Sequence, residues 1–340
     1  MFAYVIRRLF AGVIMLIVMS MVTFLLFFAI PSDPARFACG KNCSPAQIDS
    51  VRKGLGFDKP AAQQWADFAV GVFKGRTFPD DPKLKKNPNY AIYVSECKAP
   101  CLGFSKVNQK TVNEEFKEKI PVSVSLALAA FIMWMVGGIG FGALAAVTKG
   151  SIIDRGVVGI SLVFYAFPTF FVGLFLLKFL AIKWKLFSVP SYVSIADGGL
   201  YNWAINLLLP GLTLALFYMA GYVRMTRAFV LESMGEDYLR TAKAKGLAPR
   251  KILYKHTMRA ALTPLVTMAG LDLAGLLGGA VITERVFNYN GLGKLAVDSV
   301  ATYDLPTIVG LVLLLGAFVI VANIIVDILY ALIDPRVRVG

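Results

Sequence analysis

Six runs of about 20 mostly apolar residues recur along the chain, and that is the length an α-helix needs to cross a bilayer. They fall at 9–30, 124–147, 157–182, 205–223, 260–282 and 306–333. Hydrocarbon offers no water to backbone N–H and C=O groups, so lone apolar runs of this length cross it as helices. The expectation is an all-α integral membrane protein with six transmembrane helices. Composition agrees, since 57% of the 340 residues are hydrophobic and 16% are charged, against about 45–50% and about 25% in soluble domains. Arg7 and Arg8 precede the first run as they would in a signal peptide. Its apolar stretch is longer than the roughly 7–15 residues of a signal core, so it reads as an uncleaved anchor.

The formal charge of +14 (35 Lys+Arg, 21 Asp+Glu) taken alone suggests nucleic acid, but most of the basic residues flank the apolar runs. With the N-terminus in the cytoplasm, segments 1–8, 148–156, 224–259 and 334–340 hold 15 basic residues. The short loops 183–204 and 283–305 then hold 4. This asymmetry places both termini in the cytoplasm. The 31–123 segment carries 15 more, but loops beyond about 60 residues translocate largely regardless of charge. Polar and turn-rich, with Lys85-Lys86-Asn87-Pro88 among its turns, it reads as a small extracytoplasmic cap rather than a core-bearing domain.

All four cysteines lie in that cap, as Cys39-x3-Cys43 and Cys97-x3-Cys101. An even count outside the membrane suggests disulfides. Loop entropy gives about 2 kcal/mol for each local bridge and about 4 for one closing some 58 residues, which favours cross-links between the two pairs. The competing reading is zinc held by all four thiolates, since the spacing permits it. His256 is the one histidine, so a multi-His metal centre is excluded, and no H-E-x-x-H or phosphate-loop motif occurs. Neither a membrane enzyme nor an ATP site of the phosphate-loop kind has residues to build from. A self-sufficient secondary transporter tends to show inverted repeats and several intramembrane charges, whereas this chain has one clear mid-span acid, Asp272. Asp272 either lines a pathway and meets a substrate amine, or is protonated or hydrogen-bonded to a neighbouring helix. Lys178, near the outer end of the third run, is expected to snorkel. Pro168, Pro210 and Pro264 are read as tolerated kinks, and Gly138-x3-Gly142 and Gly275-x3-Gly279 as sites of close helix approach.

The most informative stretch is 224–259. Residues 236–245 are mostly good helix formers with acids first and lysines last. Gly246 sits where a left-handed cap would end that helix, and Pro249 suits the first turn of a second one. Small residues (Ala242, Ala244, Gly246) leave room for a partner's groove.

Glu236-Asp237-Tyr238, Thr241-Ala242, Gly246, Ile252 and Pro264 resemble the signature cytoplasmic loop of ABC importer permeases, the Glu-Ala-Ala loop, with Asp237 in place of its first alanine. The wording of 237–247 is similar to the dipeptide/oligopeptide branch. So are Ile6-Arg7-Arg8-Leu9, Ile30-Pro31-Ser32-Asp33-Pro34-Ala35, Leu55-Gly56-Phe57-Asp58-Lys59-Pro60, Val223-Arg224-Met225-Thr226-Arg227 and Asp334-Pro335-Arg336-Val337-Arg338. The resemblance implies a type I ABC importer permease fold in a bacterial cytoplasmic membrane. It implies a heterodimer with a second permease, two ABC ATPase subunits that hold ATP and magnesium, and an extracytoplasmic binding protein that delivers short peptides. Glu236, Asp237, Tyr238, Thr241, Ala242 and Gly246 would then couple this chain to the ATPase. Nickel, glutathione or sugar-like solutes fit the same architecture. The 80–117 segment looks like an insertion, and Tyr289-Asn290-Gly291 stands where the family often reads Trp-Pro-Gly.

Overall fold

A computed structural model describes residues 2–29, 33–39, 43–79 and 95–333. Ile30-Pro31-Ser32, the 80–94 part of the insertion with Lys85-Lys86-Asn87-Pro88, and the closing Asp334–Arg338 motif lie outside the described residues. The chain divides into two compact units.

One unit comprises Phe2–Pro121 with Asn290–Ile320. Helix α1 (Phe2–Ala29) is followed by α2 (Pro34–Cys39), α3 (Pro45–Leu55) and α4 (Ala61–Lys74). Helix α3 starts in a capping box, in which Ser44 and Gln47 satisfy each other's backbone N–H groups. Strands β1 (Arg76–Phe78) and β2 (Ser95–Cys97) pair antiparallel with Thr77 opposite Glu96. Strands β3 (Phe104–Ser105) and β4 (Lys110–Thr111) form a second short hairpin. The cap expected to lack a core has one. Phe78, Cys97, Cys101 and Phe104 are buried together, and Phe68 packs with Phe24, Leu305 and Val309.

The cysteines pair locally, Cys39 with Cys43 and Cys97 with Cys101, which corrects the expected cross-links and leaves no thiolate for zinc. Loop entropy compares unfolded chains, whereas bonding needs two Cα atoms within reach. The end of α2 and the turn after β2 hold their pairs 6.0 and 5.4 Å apart.

The other unit comprises Val122–Tyr289 with the described residues from 321 on. Its helices are α5 (Val112–Val147, from residue 122), α6 (Ile152–Ala166), α7 (Thr169–Leu176), α8 (Ile195–Met234), α9 (Asp237–Ala244), α10 (Met258–Gly279) and α11 (Val281–Val286). Trp134, Leu126, Leu207, Leu209 and Leu265 lie at the centre of its core. Gly138 and Gly142 do bring helices together. A Cβ on Gly138 would sit 2.5 Å from Tyr222 Cβ, and one on Gly142 would sit 2.7 Å from the Val223 carbonyl oxygen. Gly275 by contrast faces open space.

Two further helices, α12 (Leu292–Ala301) and α13 (Leu305–Ile333), complete the chain order. Among the described residues α1, α5, α8 and α13 are long and apolar enough to cross a membrane. The expected straight run 157–182 is instead broken. Helices α6 and α7 meet at 103°, because Pro168 drives Phe167 into the extended region with ψ 137°. Counted as one bent crossing, this pair makes five.

Candidate functional site

The 236–246 segment is built outward from a small apolar cluster. In α9, Leu239 and Ala242 are buried against Ile252, with Leu247 alongside. The helix ends in a Schellman turn. Gly246 N–H donates to the Lys243 carbonyl (2.9 Å) and Leu247 N–H to the Ala242 carbonyl (3.3 Å), the two bonds that define the motif. Gly246 takes a φ of +74° with open space where a Cβ would point, so glycine is required there for backbone conformation alone. Pro249 opens a single helical turn, as its fixed φ suits. The chain then enters a π-helical stretch, Ile252–Thr257, that leads into α10.

This frame leaves Glu236, Asp237, Tyr238, Thr241 and Gly246 exposed, while Ala242 faces inward. Ala242 is therefore part of the floor on which the helix rests and not an outward contact. The Arg240–Asp237 pair, 3.3 Å apart and exposed on both sides, adds little stability. Tyr238 Oη lies 3.0 Å from Ser233 Oγ, and the Ser233 hydroxyl donates to the Thr257 carbonyl at 3.4 Å. With that proton committed, the phenol is the donor to Ser233. Glu232, Glu236 and Tyr238 border a recess of about 400 Å³ floored by Phe229, Ala261 and Pro264.

The Arg227 of Val223-Arg224-Met225-Thr226-Arg227 is held in an ion pair. It donates to both carboxylate oxygens of Asp154 at 2.7 and 2.8 Å, and Asp154 also accepts the Gly150 N–H at 2.9 Å. That bidentate geometry is the strong form of the interaction. Asp154 was not singled out from sequence. Its signal is Ser151 three residues earlier, the N-cap of α6, whose Oγ accepts the Asp154 N–H.

Asp272 belongs to a separate cluster on α10. Tyr222 Oη of the neighbouring α8 donates to Asp272 Oδ2 at 2.6 Å. Trp134 stacks on Tyr218 at 4.6 Å and leans on Tyr222 at 6.2 Å. The neighbouring-helix hydrogen bond is thus made, and the half-buried Asp272 keeps part of its surface open.

Residues 138–339 match the family model described as "Binding-protein-dependent transport system inner membrane component", and residues 1–127 match its N-terminal companion. The chain belongs to that family. Among its relatives, the probable peptide ABC transporter permease protein y4tP of Sinorhizobium fredii is 32% identical over 98% of this chain and 99% of its own length. The dipeptide transport system permease protein DppB of Escherichia coli K12 is 32% identical over 99% of each chain. A solved inward-facing MetNI methionine ABC transporter superposes with a TM-score of 0.52 at 19% identity, covering 65% of this chain and 97% of the other. The chain therefore has the type I ABC importer permease fold and is a multi-pass membrane protein.

Proposed function

We propose that this chain is the translocating subunit of an ATP-driven importer of short peptides in the bacterial cytoplasmic membrane. In this reading six helices cross the membrane with both termini inside, α10 with α11 supplying the crossing at 260–282. A second permease of the same family completes the pathway. Two ATPase subunits hold ATP and magnesium, and an external binding protein supplies the peptide. This chain hydrolyses nothing.

The observation that supports the reading best is α9. It is an eight-residue helix, fixed from behind by Leu239 and Ala242, that presents Asp237, Tyr238 and Thr241 outward. A helix held in this way is a rigid lever on which an ATPase can pull. Asp272 lines the pathway, where a carboxylate with an open side can attract a peptide's ammonium group.

The test is mass spectrometry of everything that co-purifies with the tagged chain in mild detergent, followed by peptide uptake in reconstituted vesicles. A second permease and phosphate-loop ATPases are expected, and Thr241→Arg should remove the ATPases while leaving the chain folded. Recovery of the chain alone, under conditions that keep related complexes intact, overturns the proposal. Asp272→Asn should lower uptake with assembly intact, and normal uptake by that variant removes Asp272 from the pathway.

A further inference from the structure

The π-helical turn Leu177–Lys183 that continues α7 plays no part in the function above. Its defining bond runs from the Trp184 N–H to the Phe179 carbonyl, 2.9 Å. On a regular helix, residues five apart diverge widely, because each residue turns about 100°. A π turn closes from i to i+5 and draws them toward one side, and such turns recur at functional positions. Here the two residues are Lys178 and Lys183. Both ammonium groups lie over the same ring, 5.8 and 5.5 Å from the centre of Phe179. Each contact is within cation–π range, yet together they hold two like charges no more than the sum of those distances apart. Lys185 follows two residues later, and the sequence has no acidic residue between Asp154 and Asp197. The electrostatic complement of this turn is therefore an anion that comes from outside the segment.

The same face carries a row of aromatic rings at helical spacing. Phe167, Phe171, Phe175 and Phe179 follow one another at 5.1, 6.5 and 4.5 Å, and Trp184 stands 5.7 Å beyond Phe179. Phe171 and Phe175 remain nearly half exposed at 46% and 48%. An apolar track that ends at a pair of cations, with an exposed tryptophan beside it, has the polarity of a phospholipid molecule.

We propose that this turn binds an anionic phospholipid, with the phosphate between Lys178 and Lys183 and an acyl chain along Phe171, Phe175 and Phe179. The π turn sets the spacing of the two cations, and the phenylalanine row supplies the apolar half of the site. The site does not depend on the orientation proposed above.

The full-length protein, purified in mild detergent with whatever subunits accompany it, is loaded with phosphatidylglycerol or with phosphatidylcholine of the same chain length. Retention is read by native mass spectrometry, and adducts are mapped with a phosphatidylglycerol that carries a photoactivatable tail. Phosphatidylglycerol should be retained over phosphatidylcholine, with adducts on Phe171, Phe175 or Phe179. Lys178→Gln and Lys183→Gln should each weaken retention by about fivefold, and the double variant by more than tenfold, without a change in the lipid-free melting temperature. Soluble glycerol phosphate should not displace the lipid. Equal retention by the double variant, equal retention of phosphatidylcholine, displacement by glycerol phosphate alone, or adducts confined to other helices would each overturn the proposal. Cross-linking of this face to a partner helix in place of lipid would overturn it as well.

Discussion

Leu239→Ala isolates what holds α9 in place. Leu239 is 1% exposed and packs with Ala242, Ile252 and Leu247. Truncation removes three carbons, worth about 0.8 kcal/mol each by transfer, and buried Leu→Ala changes span about 2–5 kcal/mol once the residual cavity is included. The cluster has four members and lies near solvent, so the hole can collapse and the lower end of that range applies, about 2–3 kcal/mol. An eight-residue helix is far below the length that is stable alone, and α9 owes its helicity to this packing. The loss should therefore appear as local opening of α9 and not as unfolding of the unit. In populations that is a factor of about 30–150.

Amide hydrogen exchange reads it directly at the Lys245 N–H, which is bonded to the Thr241 carbonyl at 3.0 Å, and at the Gly246 and Leu247 N–H groups of the closing turn. These should exchange faster by up to that factor in Leu239→Ala, while amides of α5 and α8 stay protected. Thr241→Ala, on the exposed side of the same helix, should leave exchange almost unchanged. Exchange in Leu239→Ala within about threefold of the parent would show that α9 is held by something other than this cluster, and the reasoning would fail.

Three other perturbations have definite expected outcomes. Gly140 and Gly142 lie on the same helix, but a Cβ at Gly140 meets nothing within 4 Å and one at Gly142 meets the Val223 backbone carbonyl. Gly140→Ala should be neutral or stabilising by up to about 1 kcal/mol. Gly142→Ala should melt below it by an overpacking cost of about 1–3 kcal/mol, and equal melting temperatures in detergent would contradict the close approach. Removing Cys39–Cys43 by double serine substitution should cost about 2 kcal/mol of loop entropy. Removing Cys97–Cys101 should cost more, because both sulfurs sit in the core with Phe78 and Phe104; equal non-reducing melting curves for the two variants would refute this. Asp304 accepts from the Ser105 and Thr307 hydroxyls at 2.5 and 2.8 Å and shares Thr307 with Glu115, yet burial pushes its carboxyl above the ordinary 3.8. An acid raised on folding contributes stability that is complete below the ordinary value and is lost as pH rises through the folded one. The melting temperature of the unit formed by Phe2–Pro121 and Asn290–Ile320 should thus fall from about pH 4 upward, and Asp304→Asn should flatten that dependence.

Helix α9 was legible because its ends are written in local chemistry. Acids open it, Gly246 supplies the left-handed residue, and Pro249 starts the next turn, each within a few positions of the others. What needed the third dimension stayed hidden. The Asp154–Arg227 pair joins residues 73 apart, and no spacing rule reports it. Pro168 was visible, but whether a proline bends a helix or ends it depends on what receives the freed backbone groups, and here the chain turns by 103°. By its size Ala242 is expected to leave room for a partner's groove. Its burial against Ile252 is a tertiary fact that residue size does not encode.

Pro210 shows the other outcome. A proline inside a helix leaves the carbonyl four residues earlier without its donor, and in α8 that carbonyl belongs to Asn206. Tyr289 Oη donates to it at 2.8 Å, so α8 runs through the proline with its backbone satisfied. The Tyr289 phenol reaches from the loop after α11 to the backbone of α8. Side-chain hydrogen bonds also join the helices at the C-terminal end of α8. Ser233, at the end of α8, bonds the carbonyl of Thr257, at the start of α10, and receives Tyr238 from α9. The two long helices are thereby tied at the base of the loop that α9 caps. Further along, α10 carries Asp272, which accepts from Tyr222 of α8. α8 and α10 are therefore joined at two levels, through Ser233 and Thr257 beside α9 and through Tyr222 and Asp272 further along.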